Sequence, residues 1–447
     1  MPEKSSNIFN YINLISMTNK IEKKNYALPI AMMFALFFMI SFVTGLPSPM
    51  GVIVAKQFGA SNFQSQLGFL ANFIAYAFMG IPAGMMLKRF GYKKLALAAV
   101  IVGFLGVGIQ WLSGQVGSFT VYLMGAFVAG FSMCMLNTVV NPMLNTLGGG
   151  GNKGNQLIQW GGTINSIGAT MVPILVGYLM GDIAGRTIEK ASPALFLAMG
   201  IFALAFIVLF FVDIPEPHLQ KVAEKKVKDP HSPLSFRHFI LGAIAIFIYV
   251  GVEVGIPSTA NLYMTAMPDA ANPGLGIDGG TAGIVVGLYW LLMLVGRLVG
   301  ASVGARVSSK AMLTFASGLG IFFVLLAILL PPTNTINMPA FTNTFKFMQV
   351  EVPINVMFLV LGGLCTSIMW GGIFNLAVEG LGKYTAAASG LFMVMVAGGG
   401  IVPLIQGAVS DNFGFLNSYW VMFLCLAYLL FYGLIGSKNV NKDIPVE

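Results

Sequence analysis

The chain has 447 residues, of which 57% are hydrophobic and only 9% are charged. A soluble domain carries about 25% charged residues, so this chain lacks the polar surface of a cytosolic enzyme or a nucleic-acid-binding protein, although its net charge is +8. Its three cysteines lie in apolar runs and its three histidines lie in or beside one polar central stretch. Neither a disulfide framework nor an intramembrane histidine site is expected. The composition predicts a polytopic membrane protein.

Twelve apolar runs are long enough to cross a bilayer. A helix rises about 1.5 Å per residue, so a hydrocarbon core of about 30 Å requires roughly 20 apolar residues. Lipid offers no partner to an open backbone, so these runs are predicted to be helices, and they lack the short alternating pattern of a β-barrel. The predicted spans are 27–54, 65–87, 95–113, 119–147, 156–180, 194–213, 239–264, 280–303, 311–331, 353–379, 385–409 and 416–436.

The distribution of lysine and arginine predicts the direction of these spans. With a cytoplasmic N-terminus, 19 of the 24 basic residues fall on the cytoplasmic side, 4 fall on the opposite side and Arg297 lies within a span. Cytoplasmic loops of membrane proteins carry an excess of lysine and arginine, so both termini are predicted to be cytoplasmic. The positive net charge is therefore interpreted as a topology signal.

The longest charged stretch divides the chain into two halves of six spans each. The second half weakly resembles the first, since the segment at Gly84 aligns with that at Gly300, and Asn141 on span four aligns with Asn375 on span ten. Parallel halves with a binding site between them are typical of one class of transporter. The predicted organisation is a cytoplasmic segment 1–26, a six-helix bundle 27–213, a cytoplasmic linker 214–237, a six-helix bundle 238–436 and a cytoplasmic tail 437–447.

Of the 16 acidic residues, only Glu253 lies well inside a span. An ionisable group at mid-bilayer costs roughly 2.5–3.5 kcal/mol on insertion scales, so its presence requires a reason. Gly251, Gly255 and Pro257 weaken the helix around it and free backbone carbonyls beside the carboxyl. Glu253 is therefore predicted to exchange a proton at physiological pH. The alternative is a permanently protonated acid that holds two helices together.

Carboxamide and aromatic side chains lie at depth in other spans. Asn137 and Asn141 share one face of span four, beside Pro142, whose missing N–H opens the backbone. Carboxamides bind hydroxyl groups without carrying charge, and an indole ring suits the apolar face of a sugar. The alternative is helix–helix packing, worth about 0.6 kcal/mol per polar contact. The predicted substrate-binding residues are Tyr76, Asn137, Asn141, Gln159, Asn165, Trp290, Trp370 and Asn375.

Charged residues near the predicted cytoplasmic ends of spans are candidates for an inner gate. Arg297 and Glu379 lie at a similar depth in the second half, and Lys88 and Arg89 follow span two in the first half. Surface ion pairs are worth about 0–1 kcal/mol each, which suits a gate that opens and closes. Ordinary positive-inside charge is the alternative. Asp411 lies on the opposite side and is predicted to be a solvated loop residue.

The sequence contains no motif that predicts catalysis. The glycines at 148–151 superficially resemble a phosphate-binding loop, but no Gly-Lys-Ser/Thr ending follows and no strand precedes them. Neither His-Glu-x-x-His nor Gly-x-Ser-x-Gly occurs. We therefore expect neither an enzyme nor a cofactor or metal site.

Several longer motifs point to one family. They are Tyr76 with PAGMMLKRFGYKK at 82–94, NTVVNP at 137–142, NSIG at 165–168, YVGVEVGIPS at 249–258, SIMWGGIFNLAVEGLG at 367–382, and GGGIVP at 398–403 with GAVSD at 407–411. Over about residues 35–435, the chain resembles the fucose–galactose–glucose:proton symporter family of the major facilitator superfamily. The resemblance implies twelve transmembrane helices in two pseudo-symmetric six-helix bundles, alternating access, and the import of a sugar together with a proton.

Two departures from the fucose permeases of that family bear on coupling. Those proteins place an Asp in span one, where this chain has Ser48 or an adjacent residue, and a Glu in span four, where it has Asn137. The glucose/galactose branch also carries an amide at the second position. Glu253 is consequently the embedded candidate for proton coupling.

The sequence thus predicts a monomeric sugar transporter in a bacterial inner membrane. Its expected partners are a sugar (hexose, deoxyhexose or amino sugar), a coupling proton and the lipid bilayer, with no nucleic acid. Three alternatives stay open: a uniporter, a sodium-coupled transporter of a cell-wall sugar fragment, and a membrane sugar sensor that does not transport. The residues do not distinguish between the sugars or fix the stoichiometry.

Overall fold

A computed structural model describes most of the chain between residues 26 and 446. The N-terminal segment before residue 26, Ser48 and most of the predicted linker lie outside the described residues. The described ranges are 26–47, 50–51, 53, 57–147, 151–180, 187–216, 231–303, 307–341, 347–381, 384–441 and 443–446.

The described N-terminal half is helical. Its long helices coincide with predicted spans, because continuous apolar sequence favours the helix wherever lipid leaves backbone groups without partners. The helices are α1 (Ala27–Gly45), the one-turn α2 (Asn62–Ser65), α3 (Leu67–Val116), α4 (Phe119–Leu147), α5 (Gly151–Met180) and α6 (Ser192–Phe211).

The described C-terminal half adds eight helices and one β-hairpin. A 3₁₀ turn (Pro233–Ser235) precedes it and a π-helical turn (Tyr432–Gly436) ends it. The helices are α7 (Arg237–Thr265), α8 (Gly279–Val303), α9 (Ser309–Leu329), α10 (Ile354–Thr366), α11 (Met369–Val378), α12 (Thr385–Met395), α13 (Gly398–Phe413) and α14 (Phe415–Phe431), and the strands are β1 (Thr335–Phe341) and β2 (Phe347–Pro353).

Eleven helical segments of the described chain are long and apolar enough to span a membrane, and α5 occupies the position of the remaining predicted span. Spans two and three are both found in α3 and meet at a kink at Gly91, within the predicted loop. Two other spans are interrupted: span ten divides into α10 and α11, and span eleven divides into α12 and α13. We call the end of the molecule at which α2 and the C-terminal end of α13 lie the outer end, after the predicted direction of the spans.

The junction within α3 is built on Gly91. Its φ is +82°, a left-handed value that L side chains rarely adopt. The carboxylate of Glu216 lies against it and accepts hydrogen bonds from the backbone amides of Tyr92 (2.7 Å) and Lys93 (2.9 Å). A carboxylate in this position satisfies amides that the helix itself leaves without a partner. Glu216, at the start of the predicted linker after α6, therefore caps the second arm of α3.

The hairpin was not predicted and covers the outer end of the C-terminal half. Its strands are antiparallel, with Asn337 opposite Glu351. Side chains alternate along a strand, so one face is buried and the other is solvated. Met338, Val350 and Val352 on the buried face pack in an apolar cluster with residues of α7, α8 and α14.

Candidate functional site

A cavity of about 280 Å³ lies where helices of the two halves meet. A water molecule occupies about 30 Å³ in the liquid, so the cavity has room for a small organic molecule. Its lining includes Phe37, Ser41 and Thr44 of α1, Phe73 and Tyr76 of α3, Asn137 and Asn141 of α4, Asn165 of α5, Glu253 and Pro257 of α7, Trp290 and Arg297 of α8, and Ser367, Trp370 and Met393 around the breaks in spans ten and eleven.

The cavity holds a pair of opposite charges. Oε1 of Glu253 lies 3.5 Å from Nη2 of Arg297, and the two side chains are 16% and 20% exposed. Both charges are thus largely removed from solvent, where a nearby opposite charge matters most. Tyr249, one turn before Glu253 on α7, is fully buried.

Arg297 also bonds to the other half of the molecule. Its Nη1 donates to the carbonyl oxygen of Gly162 (2.8 Å) and to Oγ of Ser166 (2.6 Å), both on α5. One guanidinium thus joins α8 and the Glu253 carboxylate of α7 to the N-terminal half. The sequence placed Arg297 with Glu379 in an inner gate, and the structure places it in the central cavity instead.

Three asparagines present the same chemistry to the cavity. The Nδ2 of Asn137 donates to Tyr76 Oη (3.0 Å) and to a backbone carbonyl. The Nδ2 of Asn141 donates to the carbonyl oxygen of Asn137 (2.9 Å), and the Nδ2 of Asn165 donates to that of Phe37 (3.0 Å). No hydrogen bond between described residues engages the Oδ1 atoms of these asparagines. The cavity therefore presents carboxamide oxygens, which accept hydrogen bonds from hydroxyl groups.

Both predicted tryptophans line the cavity, and each ring is supported by a tyrosine. The Trp370 ring lies 6.1 Å from that of Tyr249, and the Trp290 ring lies 5.2 Å from that of Tyr289 in an edge-on contact. Tyr289 is in turn hydrogen-bonded to Thr366. These contacts limit the freedom of the indole rings and provide flat apolar surfaces beside the carboxamides.

The remaining predicted residues do not join this site. Asn375 and Glu379 are exposed and do not line the cavity, and the side chains of Lys88 and Gln159 lie outside the described residues. Arg89 lies over the ring of Phe90. Among the described side chains, no ion pair connects the predicted gate residues with one another. Arg89, Arg297 and Glu379 thus do not meet in the described structure, and the inner gate stays a prediction.

Sequence reasoning missed the polar serines of the lining. Ser41 and Ser367 lie in the cavity wall, but small hydroxyl residues are common on packed helix faces and give no distinct signal. Over the described part of the chain, no group of three or more His, Cys, Asp or Glu side chains could hold a metal ion.

Comparisons with known proteins agree with this architecture. The Major Facilitator Superfamily model matches residues 33–403. The chain is 30% identical over 429 residues to the glucose/galactose transporter of Brucella abortus (94% of this chain and 97% of that protein), and 23% identical to the L-fucose-proton symporter of Escherichia coli K12 (94% and 96%).

Solved structures show the same fold. The Major Facilitator Superfamily transporter FucP, in its outward conformation, superposes with a TM-score of 0.64 at 20% identity, covering 93% of this chain and 100% of that one. The nucleoside transporter NupG superposes with a TM-score of 0.60 at 16% identity, covering 91% and 97%. At these identities the likeness concerns the arrangement of helices and not the substrate.

Proposed function

The chain belongs to the Major Facilitator Superfamily, and on that premise we propose that it imports a sugar by alternating access, coupled to a proton through Glu253. It is a multi-pass membrane protein whose relatives are transporters, and its bacterial relatives imply the inner membrane as its location. The prediction of a helical membrane fold of the major facilitator type is confirmed by these comparisons, apart from the β-hairpin.

One observation supports a sugar as the substrate: the cavity between the two halves combines carboxamide oxygens with two indole rings. A sugar offers hydroxyl groups along its edges and C–H groups on its faces, and these fit the two kinds of lining. Carboxamide and indole groups carry no charge, which favours a neutral ligand. The names of the relatives, a glucose/galactose transporter and an L-fucose-proton symporter, support the same class.

The contact between Glu253 and Arg297 supports a coupling mechanism. The ionised carboxylate of Glu253 accepts a hydrogen bond from Nη2 of Arg297. Gly162 and Ser166 of the other half accept hydrogen bonds from Nη1. Protonation of Glu253 removes the attraction at Nη2 and leaves that group free to donate to a sugar oxygen. Sugar binding and proton binding then favour each other, as reciprocal coupling between two ligands requires.

The decisive experiment measures sugar-driven proton uptake in proteoliposomes. Wild-type protein is expected to take up protons when a substrate sugar is added, and Glu253→Gln is expected to lose this signal while it still exchanges labelled sugar across the membrane. The Gln variant resembles the protonated carboxyl in shape and lacks its titration, so exchange between two loaded states is retained. Glu379→Gln, at an exposed position outside the cavity, is the matched control.

Other outcomes identify the alternatives. Sugar uptake that ignores both the pH gradient and the membrane potential would replace symport by uniport. Uptake that requires sodium would assign the coupling to that ion, and binding without any flux would identify a sensor.

A further inference from the structure

Asp411, the last acidic residue of α13, bonds to the opposite half of the molecule. Its Oδ1 accepts a hydrogen bond from the backbone amide of Asn62 (2.7 Å), and its Oδ2 accepts one from that of Phe63 (2.9 Å). These are the first amides of α2, which the helix itself leaves without partners. The side chain is exposed to solvent, as predicted, but Asp411 belongs to α13 and not to a loop. It caps a helix of the other half at the outer end.

The two halves are in backbone contact beside this cap. A Cβ at Gly407 would lie 2.8 Å from the carbonyl oxygen of Asn62, and a Cβ at Gly400 would lie 2.6 Å from the Cα of Leu70. Ser410, next to Asp411, also lies within 3.4 Å of the Asn62 carboxamide nitrogen. We call this contact of α13 with α2 and the start of α3 the outer seam.

Gln66 is a buried carboxamide in the segment that forms the outer seam. It is 1% exposed, and neither its Nε2 nor its Oε1 has a hydrogen-bond partner among the described residues. Gln66 lies four residues after Asn62 and three before Phe69, so all three lie on the helix face that meets α13 at Gly407 and Gly400. A carboxamide buried without partners destabilises the state that buries it, and water satisfies it when that state opens.

We propose that Asp411 is a positioning residue of the transport cycle, the latch that holds the outer seam closed, and that Gln66 provides the opposing tendency to open. This inference rests on the proposed transport function, since a latch has a role only if the halves separate. The Asp411 carboxylate accepts hydrogen bonds from two backbone amides, and these stabilise the closed seam. The buried Gln66 carboxamide has no partner there among the described residues, so it destabilises the closed seam.

The chain contains a matched control for the latch. Glu216 accepts hydrogen bonds from the amides of Tyr92 and Lys93 at 2.7 and 2.9 Å, the same distances as at Asp411. Its partners belong to α3, and Glu216 itself follows α6 of the same half, so this cap does not cross between the two halves. A comparison of the two caps separates loss of a latch from general loss of a helix cap.

The test measures access to the cavity from the outer side. Thr44→Cys places a thiol in the cavity wall, in a parent in which Cys134, Cys365 and Cys425 are replaced by alanine. A membrane-impermeant maleimide is applied from outside intact cells and the labelling rate is measured without sugar. Asp411→Asn is expected to raise the labelling rate about tenfold. Loss of one hydrogen bond to a charged group shifts the equilibrium between the closed and the open seam by about that factor. Gln66→Leu is expected to lower the rate, and Glu216→Gln is expected to leave it unchanged.

An unchanged rate in Asp411→Asn would overturn the latch, as would an equal rise in Glu216→Gln. A rise in Gln66→Leu would show that the buried carboxamide does not favour opening. Because labelling is read without sugar, its outcome is separate from that of the proposed function: absence of sugar flux in the wild type would remove the transport proposal while the accessibility result stands.

Discussion

Arg297 makes contacts that a lysine could not reproduce. Its two terminal nitrogens reach in two directions, to Gly162 and Ser166 in one half and to Glu253 in the other. A lysine offers one ammonium and no fork, although the charge is the same. Hydrogen bonds of charged groups contribute about 1.5–3 kcal/mol each. The value of this side chain thus lies in its geometry as well as its charge.

We therefore expect Arg297→Lys to reduce sugar-driven proton uptake at least about tenfold, the effect of losing one such bond. Uptake in proteoliposomes measures this, with Arg89→Lys as a control, since that side chain is exposed and lies over a phenylalanine ring outside the cavity. Wild-type coupling in Arg297→Lys would show that a single positive charge suffices.

The indole of Trp370 is expected to contribute to affinity. It lies in the cavity wall, whereas Trp160 is 52% exposed and does not line the cavity. Loss of a ring that packs on a sugar face removes an interaction of roughly 1–3 kcal/mol, the contribution of burying a large apolar side chain. Trp370→Leu should therefore raise the sugar Kd about tenfold or more, while Trp160→Leu should not change it. Equal binding by both variants in isothermal titration would remove Trp370 from the site.

Single residues also show how far sequence reasoning reached. Glu253 was identified because a lone acid in a span is costly, and the structure places it in the cavity. Arg297 was assigned to the inner gate because its depth was counted from one end of the span. Depth along a helix does not reveal which neighbour the side chain reaches, and a long arginine side chain extends well away from its own Cα.

At the scale of elements, hydropathy predicted the spans but not their interruptions. The break between α10 and α11 at Ser367 contains no proline and no glycine, whereas that between α12 and α13 at Val396 directly precedes three glycines, Gly398–Gly400, which favour a bend. The hairpin was missed because it lies in a loop between spans, where a hydropathy count does not distinguish strands. The junction at Gly91 depends on a carboxylate from residue 216, which is distant in sequence.

The Gly91 junction permits a direct test of backbone geometry. A Cβ there would lie 2.5 Å from Oε2 of Glu216, and the φ of +82° is unfavourable for any L side chain. Gly91→Ala is therefore expected to destabilise the protein by about 1–3 kcal/mol, seen as a lower melting temperature in detergent. Gly84→Ala is the control, because nothing lies within 4 Å of a Cβ there. Equal melting temperatures for the two variants would contradict a special role for Gly91.

At the scale of the whole molecule, the cavity is of a size that suits a single sugar ring. Its 280 Å³ lies just below the range of about 300–1,000 Å³ typical of sites for drug-sized ligands. A single sugar ring matches a small cavity better than a cell-wall fragment that carries a disaccharide and a peptide. The two halves both contribute to the wall, so a ligand that fills it binds the folded protein and not the unfolded chain.

We therefore expect monosaccharides to stabilise the protein and muropeptides not to. A ligand at 100 times its Kd adds about 2.7 kcal/mol to the free energy of unfolding. A thermal-shift screen of hexoses, deoxyhexoses, amino sugars and muropeptides measures this effect. Trp370→Leu is the binding-deficient comparison: a sugar that stabilises wild type and this variant equally acts outside the cavity. Stabilisation by muropeptides alone would contradict the assignment to single sugars.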